Sequence, residues 1–174
     1  MRLAFLVSLG ILLSRLTVLA AEDGNPPEPC SSLEARQFDF WVGEWNLSWT
    51  SKEGKTVSGV NRISRILNGC VLKEEFSDSN GEFTGMSVSA FVPWAKQWKQ
   101  TWVDNSGSYL DFTGEFMNNR MILHRKAQRK GKEFMQRMQW YNITGNTFDW
   151  NWERSDDGGT TWVVLWKIHY ERKS

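Results

Sequence analysis

Two carboxylates within aromatic strands are the side chains best placed to do chemistry. Glu74 and Asp104 alternate in step with aromatic and aliphatic residues, so both are predicted to point into the fold. A pair of inward carboxylates is what a glycosidase requires. A buried carboxylate is costly unless it is paired, so Glu74 either contacts a ligand or forms a salt bridge with an arginine such as Arg154 or Arg62.

Other catalytic signals are sparse. The chain has two histidines: His124 lies in a basic strand, and His169 has the parity opposite to Trp166, which predicts that it faces solvent. Neither has a neighbouring histidine or cysteine at the spacing of a metal site, and no Gly-x-Ser-x-Gly motif marks a nucleophile. We therefore predict no catalytic residue, no metal site and no cofactor.

Tryptophan is unusually frequent, with 11 copies in 174 residues. Many of these residues share the inward parity of their strands, and alternation predicts one inward face in the last strand for Trp162, Val164, Trp166, Ile168 and Tyr170. A barrel that only fills itself favours Val, Leu and Ile, whereas aromatic walls with a few polar groups suit a cavity for a small ligand. The alternative is that the tryptophans simply fill a wide barrel. The predicted ligand-binding residues are Glu74, Gln100, Trp98, Trp102, Trp150, Trp152 and Trp166.

Two further motifs predict structural roles. Gly43-x-Trp45 stands in the first predicted strand, and a structural role is predicted for both residues. Residues 155–162 match the Asp-box pattern Ser-x-Asp-x-Gly-x-Thr-Trp, in which a carboxylate and a hydroxyl bind the backbone of a tight hairpin. The residues assigned to this role are Ser155, Asp157, Gly159 and Trp162.

About ten short strands position these side chains. They follow one another from residue 38 to residue 171 at a spacing of about 8–12 residues, separated by Gly- and Asn-containing turns such as the predicted two-residue hairpin at Asn68-Gly69. Sequential antiparallel strands form a meander, and a long meander removes its edges by closing into a barrel. The predicted fold is an all-β, antiparallel up-and-down barrel, and a two-sheet sandwich is the alternative.

The N-terminal region has a different composition. Residues 1–20 combine a positive start, an apolar run and a small-residue cleavage position, which predicts a cleaved signal peptide and a secreted or periplasmic protein. Arg15 interrupts the apolar run, which argues against a membrane anchor in the leader. No other segment is expected to span a membrane, so none is predicted in the mature chain. Residues 21–37 are predicted to form a proline-rich arm with a short helix, and residues 38–173 the barrel domain.

The two cysteines form an even pair in a chain that is predicted to be exported. A disulfide between Cys30 and Cys70 would tie the arm to the third strand. A buried free Cys70 with an exposed Cys30 is the alternative.

Together the motifs resemble a family of small, often secreted bacterial proteins described as a domain of unknown function, near the lipocalin-like calycins. The Gly-x-Trp element itself resembles the first strand of those calycins, which implies that the glycine allows close packing and that the tryptophan closes one barrel end. The resemblance covers residues 38–170 and rests on segments 38–45, 59–63, 67–74, 98–104, 152–155 and the Asp-box. It implies an antiparallel barrel and, by analogy, a hydrophobic or small-molecule ligand. It implies no established activity.

Charge and composition narrow the remaining function classes. A formal net charge of +1 argues against nucleic-acid binding, which needs a clustered basic face. We predict a secreted barrel that binds a small apolar or amphipathic ligand. A structural or protein-interaction barrel with a filled core is the alternative, and a hydrolase is the weaker one. Nothing in the sequence indicates an oligomeric state.

Overall fold

Ten antiparallel strands form one closed barrel in a computed structural model, which describes residues 30–174. The predicted signal peptide and residues 21–29 of the predicted arm lie outside the described residues. The strands are β1 (Gly43–Thr50), β2 (Thr56–Ile66), β3 (Val71–Asp78), β4 (Thr84–Val92), β5 (Gln97–Asp104), β6 (Tyr109–Met117), β7 (Arg120–Arg129), β8 (Lys132–Tyr141), β9 (Thr147–Ser155) and β10 (Val163–Arg172).

The strand order confirms the predicted up-and-down barrel. Each strand pairs with the next along the chain, and β10 pairs with β1 to close the sheet on itself. This closing ladder joins residues 45–48 to residues 169–172, whereas β1 and β2 pair from Gly43↔Ile63 to Thr50↔Thr56. The sandwich alternative is wrong because the sheet is continuous around the whole barrel.

Short turns with left-handed residues join the strands. Asn118 and Asn119 have φ of 50° and 56°, and Lys130 and Gly131 have 51° and 78°, as two-residue hairpins require. The predicted turn at Asn68-Gly69 is longer, because β2 ends at Ile66 and β3 begins at Val71. The prediction located this hairpin correctly but made its loop two residues too short.

The first strand was predicted to begin at residue 38, but β1 begins at Gly43. A 3₁₀ turn at Glu34–Arg36 replaces the predicted short helix, and a second at Asp39–Trp41 occupies the predicted start of the first strand. Phe38 and Trp41, three residues apart, are both fully buried. A 3₁₀ turn places residues at this spacing on one side, so both rings are buried. A strand would place the two rings on opposite faces.

The predicted disulfide is present. Cys30 and Cys70 are joined with a Cα–Cα distance of 5.1 Å, across a sequence separation of 40 residues. The bond ties the residues before the first 3₁₀ turn to the β2–β3 hairpin. A structural disulfide indicates an oxidising compartment. Within residues 30–174, no helix has the length and apolar character needed to cross a membrane.

A bulge in β10 changes the predicted parity of that strand. Val164 pairs with Glu153 and Trp166 with Trp152, so Leu165 is an extra residue between two ladder positions. Trp166 still faces inward, but Val164 shares the outer face with its partner Glu153. The expectation that Trp162 and Val164 share the inward face of Trp166 is therefore wrong, because alternation does not continue across a bulge.

Candidate functional site

One end of the barrel is closed by aromatic packing. Phe38 and Trp41 cover it, and the ring of Phe38 meets those of Trp98 and Trp140 edge-on at centroid distances of 5.1 Å each. The indole of Trp41 lies 5.3 Å from that of Trp140. Edge-to-face contacts of this kind stabilise beyond the burial of area alone, so this end of the barrel is a packed aromatic core.

The Gly-x-Trp motif lies at the same end. Trp45 is fully buried and its Nε1 donates to the carbonyl of Trp41 at 2.8 Å. The guanidinium of Arg172 lies over the Trp45 ring and donates to the carbonyls of Val42 (3.0 Å) and Phe40 (3.3 Å). Gly43 has φ of 136°, and a Cβ there would collide with Arg172 Nη1.

A cavity lies inside the barrel, on the side away from the Phe38 and Trp41 rings. Its volume is about 230 Å³, and it extends from the buried Glu74 to Phe83 and Leu110 near the opposite end. The interior is therefore not filled, although its walls are aromatic. The lining residues are Glu74, Phe76, Phe83, Trp102, Asp104, Leu110, Phe112, Met138, Trp140, Trp150, Trp152, Trp166, Ile168 and Tyr170.

Five of the seven predicted ligand-binding residues line this cavity. They are Glu74, Trp102, Trp150, Trp152 and Trp166. Trp98 lies in the closed end, where its Nε1 donates to Gln37 Oε1 at 3.2 Å. Gln100 is buried and its Nε2 donates to Ser89 Oγ at 2.9 Å. Parity placed both inside the barrel, but it carries no information on depth, and these two side chains lie outside the lining.

Glu74 is the deepest charged group of the cavity. Its side chain is buried, with Oε1 accepting from Asn61 Nδ2 at 2.7 Å and Oε2 accepting from Ser87 Oγ at 2.6 Å. Burial raises the pKa of Glu74 from 4.5 to about 7, although the two donors act in the opposite direction. The carboxyl group can therefore change its charge near neutral pH.

The side chain of Tyr170 continues this buried polar group. Asn61 Nδ2 also donates to Tyr170 Oη, at 3.2 Å. Burial and then the nearby charge of Glu74 raise the pKa of Tyr170 far above its ordinary value, so the phenol remains protonated. The three side chains come from β2, β3 and β10, which the closed sheet brings together. Glu74 is thus the member of the group that titrates near neutral pH.

The predicted salt bridge to Glu74 is absent from the described residues. Arg62 lies on the outer face and pairs with Glu44 at 3.0 Å, with 63% of its side chain exposed. Arg154 is paired with Asp156 at 2.5 Å, away from the cavity. Arg62 has the outward parity, because it alternates with the buried Asn61 and Ile63. Arg154 has the inward parity of Trp152, but it lies beyond the residues that line the cavity. The partners of Glu74 are neutral donors, which parity did not identify.

Asp104 lies nearer the open end of the cavity. Its Oδ2 accepts from Trp102 Nε1 at 3.0 Å, and its Oδ1 accepts from the backbone N–H groups of Ser106 and Ser108 at 3.0 and 3.1 Å. Partial burial raises the pKa of Asp104, but these hydrogen bonds outweigh it and hold the pKa well below the ordinary range. Asp104 is therefore ionised, and it fixes the orientation of the Trp102 indole.

The Asp-box residues support the hairpin between β9 and β10. Asp157 accepts from the N–H of Thr161 and from Ser155 Oγ, and Ser155 Oγ accepts from the N–H of Gly159 at 2.8 Å. Trp162 Nε1 donates to the carbonyl of Gly159 at 2.9 Å. The polar side chains of the Asp-box thus have backbone or side-chain partners within the loop, and the arrangement is structural.

A buried polar cluster on the outer face was missed by the sequence analysis. Glu153 is buried and accepts from Arg137 Nε at 2.6 Å, Gln139 Nε2 at 2.9 Å and Asn151 Nδ2 at 2.9 Å. Glu153 follows the inward Trp152 in β9, so alternation alone would leave its side chain exposed to solvent. The indole of Trp162 covers Arg137, with a distance of 4.0 Å from Cζ to the ring centroid. The Asp-box tryptophan was the signal that an outer face was also covered.

A groove opens where β1 and β10 stop pairing. The ladder ends at Ser48↔His169, and a space of about 570 Å³ lies beyond it, beside Trp49 and Leu165. Trp166 lines both this groove and the cavity. Its indole is therefore part of the wall that separates the interior from the outside.

The histidines lie outside the cavity. His169 is half exposed, as its parity predicted, and its Nδ1 lies 2.9 Å from Asp149 Oδ1. His124 is exposed on β7. Within residues 30–174, no group of three His, Cys, Asp or Glu side chains is arranged to hold a metal ion.

Comparisons with known proteins assign no family to the chain. No protein-family model and no curated protein matches the sequence. Among solved structures, a redesigned β-barrel is similar, with a TM-score of 0.44 and 14% sequence identity; the match covers 83% of this chain and 100% of that chain. A likeness at this level carries no functional argument, and the function has to be argued from the cavity itself.

Proposed function

We propose that the barrel binds a small, partly apolar ligand in its central cavity. The observation that carries the proposal is an interior space of about 230 Å³ walled by tryptophans, with a single buried carboxyl group at its deep end. Apolar walls with a few fixed polar groups are typical of small-molecule sites. The aromatic rings supply apolar contact area, and Glu74 supplies an orienting group.

The size of the cavity limits the ligand. An apolar cavity of about 150 Å³ accommodates benzene, and drug-sized ligands occupy about 300–1,000 Å³. A space of about 230 Å³ therefore suits a compact molecule of one ring with a short substituent. Long acyl chains do not fit this volume.

Native mass spectrometry of protein purified from its own source tests the proposal directly. We expect an additional mass that is lost on denaturation. A parallel titration with toluene, followed by intrinsic tryptophan fluorescence, should show saturable binding because five tryptophans line the cavity. A protein that carries no ligand from its source and shows no saturable response to toluene would contradict the proposal.

A cavity-blocking variant sharpens this test. Leu110 lines the cavity near its open end, so Leu110→Trp should fill part of the space and abolish the toluene response. Leu33→Trp is the matched control, because Leu33 is 87% exposed near the closed end. Equal binding by both variants would show that the response comes from another surface.

We further propose that the protein is exported and is a member of the lipocalin-like family that its motifs resemble. The disulfide and the leader-like composition of residues 1–20 support export. N-terminal sequencing of the natural protein should find a chain that begins at Ala21 or Glu22. A retained Met1 would contradict export through a cleaved leader.

A further inference from the structure

We propose that the ligand is a compact amine, whose protonated nitrogen contacts the Glu74 carboxylate while its apolar body packs against the tryptophans. This inference rests on the proposed ligand-binding function and adds the chemical class of the ligand. The charge of the ligand depends on the side chains that line the cavity, and neither the fold nor the volume determines it.

The charges of the lining have one sign. Glu74 at the deep end and Asp104 near the open end are its charged side chains, and the lining contains no Lys, Arg or His among the described residues. Asp104 is held ionised by its hydrogen bonds. An apolar space bordered by carboxylates attracts a cation and disfavours an anion. The cavity therefore discriminates between small molecules by charge as well as by size.

Glu74 retains the capacity to bind a further donor. An ionised carboxylate has about four acceptor sites on its two oxygens. Asn61 and Ser87 occupy one site on each oxygen, and the side chain also borders the cavity. These donors fix the carboxylate in place before a ligand arrives. An ammonium group has three donors and no acceptor, so it is chemically complementary to what remains.

The aromatic walls favour the same charge. Trp102, Trp140, Trp150, Trp152 and Trp166 line the cavity together with Tyr170. The face of an aromatic ring attracts a cation, and indole does so most strongly. Desolvating an ammonium group is costly, so both the carboxylate and the rings are needed to offset that cost. A neutral ligand would use only the apolar part of this surface.

A basic group beside one of the lining rings is bound to other side chains. Arg125 stacks over the ring of Phe112 at 5.8 Å and donates to Gln136 Oε1 at 3.2 Å. Phe112 lines the cavity, but Arg125 and Gln136 do not. An anionic ligand would find its counter-charge outside the lining, whereas a cationic ligand finds Glu74 within it.

Ionisation of Glu74 gives the inference a pH signature. The groups packed around it are Asn61 on β2, Ser87 on β4 and Tyr170 on β10, and Asp104 on β5 shares the cavity. Of these, Tyr170 stays neutral and Asp104 stays charged through the neutral range. With its pKa at about 7, Glu74 gains its charge as pH rises, so amine affinity should rise about tenfold from pH 6 to pH 8.

Isothermal titration with three probes of matched shape tests the inference. The probes are 2-phenylethylammonium chloride, 2-phenylethanol and sodium 3-phenylpropanoate. At pH 8 we expect the ammonium probe to bind at least tenfold more tightly than the alcohol, and the carboxylate probe to bind more weakly than either. The affinity of the alcohol should not rise between pH 6 and pH 8.

Glu74→Gln and Glu75→Gln form a matched pair of variants. They are adjacent on β3 and remove the same charge, but Glu75 lies on the outer face beside Lys73. Glu74→Gln should reduce ammonium affinity at least tenfold at pH 8, abolish its pH dependence and leave alcohol affinity within twofold. Glu75→Gln should leave the affinities of all three probes unchanged.

The outcomes separate the two proposals. Equal binding of ammonium and alcohol, or tighter binding of the carboxylate, overturns the amine inference and leaves the cavity as a ligand site. Binding of none of the probes by the wild-type protein overturns the amine inference, and the toluene titration and native mass spectrometry then decide whether the cavity is a ligand site at all. The comparison of probes on the wild-type protein decides the matter even if Glu74→Gln fails to fold.

Discussion

The guanidinium group of Arg172 lies over the indole of Trp45, with Cζ 4.2 Å from the ring centroid. This contact joins the last strand to the first at the end of the ladder that closes the barrel, where the two residues are paired. Arg172 also donates to carbonyls of the segment before β1 and, through Nε, to Gly145 O at 2.9 Å. One side chain thus connects three parts of the closed end.

Replacing Arg172 by methionine should destabilise the protein. The variant loses the cation–π contact and leaves backbone carbonyls without their charged donor, so we expect the free energy of unfolding to fall by about 2–4 kcal/mol. Urea unfolding followed by tryptophan fluorescence measures this change. Lys173→Met is the control, because Lys173 is exposed and its amino group lies 3.5 Å from Glu44. An equal loss in both variants would contradict the role of Arg172.

Removing the disulfide should lower stability through the unfolded state. The bond closes a loop across 40 residues, for which chain entropy predicts about 4 kcal/mol of stabilisation. The double variant Cys30→Ser, Cys70→Ser should unfold at a correspondingly lower urea concentration. Wild-type protein in a reducing agent should match the double variant, whereas an unchanged midpoint in both would mean that the tether restrains little.

The pH dependence of stability should carry the signature of Glu74. Its pKa in the folded state, about 7, exceeds the ordinary 4.5, so the folded state binds more protons between these values. Stability from this group is therefore fully present below about pH 4.5 and falls as pH rises to about 7, by about 3 kcal/mol in all. Urea unfolding of wild type and Glu74→Gln at pH 5 and pH 8 measures the difference.

The stability of Glu74→Gln relative to the wild type should increase as pH rises, because an amide carries no charge to desolvate. Glu75→Gln on the outer face of the same strand should follow the wild type across this range. Parallel pH profiles of the wild type and Glu74→Gln would contradict a buried ionisable group. A bound amine should increase the free energy of unfolding of the wild type most at high pH, where Glu74 is ionised. That result would connect the pH dependence of stability to the ligand.

Alanine substitution should destabilise the Asp-box hairpin at Asp157 and have no effect at Asp156. Asp157 accepts from the N–H of Thr161 and from Ser155 Oγ, whereas Asp156 contacts Arg154. Asp157→Ala should speed amide hydrogen exchange at Thr161 and Gly159 and lower the melting temperature, and Asp156→Ala should change neither. Matching exchange rates in the two variants would show that the box does not hold the loop.

Alternation and turn residues were enough to predict the barrel. Polar–apolar alternation and Gly- or Asn-containing turns located all ten strands, and one rule about edges then predicted closure. The failures lie where alternation stops being informative. The bulge at Leu165 reversed the faces of Trp162 and Val164, and a 3₁₀ turn replaced a strand at residues 39–41 because the barrel end required a cover.

The cavity was predicted in kind but not in detail. Parity identified Glu74 and four lining tryptophans, since it reports which face a side chain occupies. It did not identify Trp98 as part of the closed end, because depth depends on how strands are staggered around the barrel. Nor did it identify Asn61 and Ser87 as the partners of Glu74, since small neutral residues on neighbouring strands carry no distinctive pattern.

The meander also determines how the molecule assembles. Nine of its ten ladders join strands that are consecutive in sequence, so they form by closing short loops. The tenth brings residues 45–48 to residues 169–172, and the other eight strands lie between them in the sequence. That seam carries the largest entropy of closure, and it lies beside the groove and Trp166. We therefore expect the seam to be the last part of the wall to form and the part through which the folded barrel opens first.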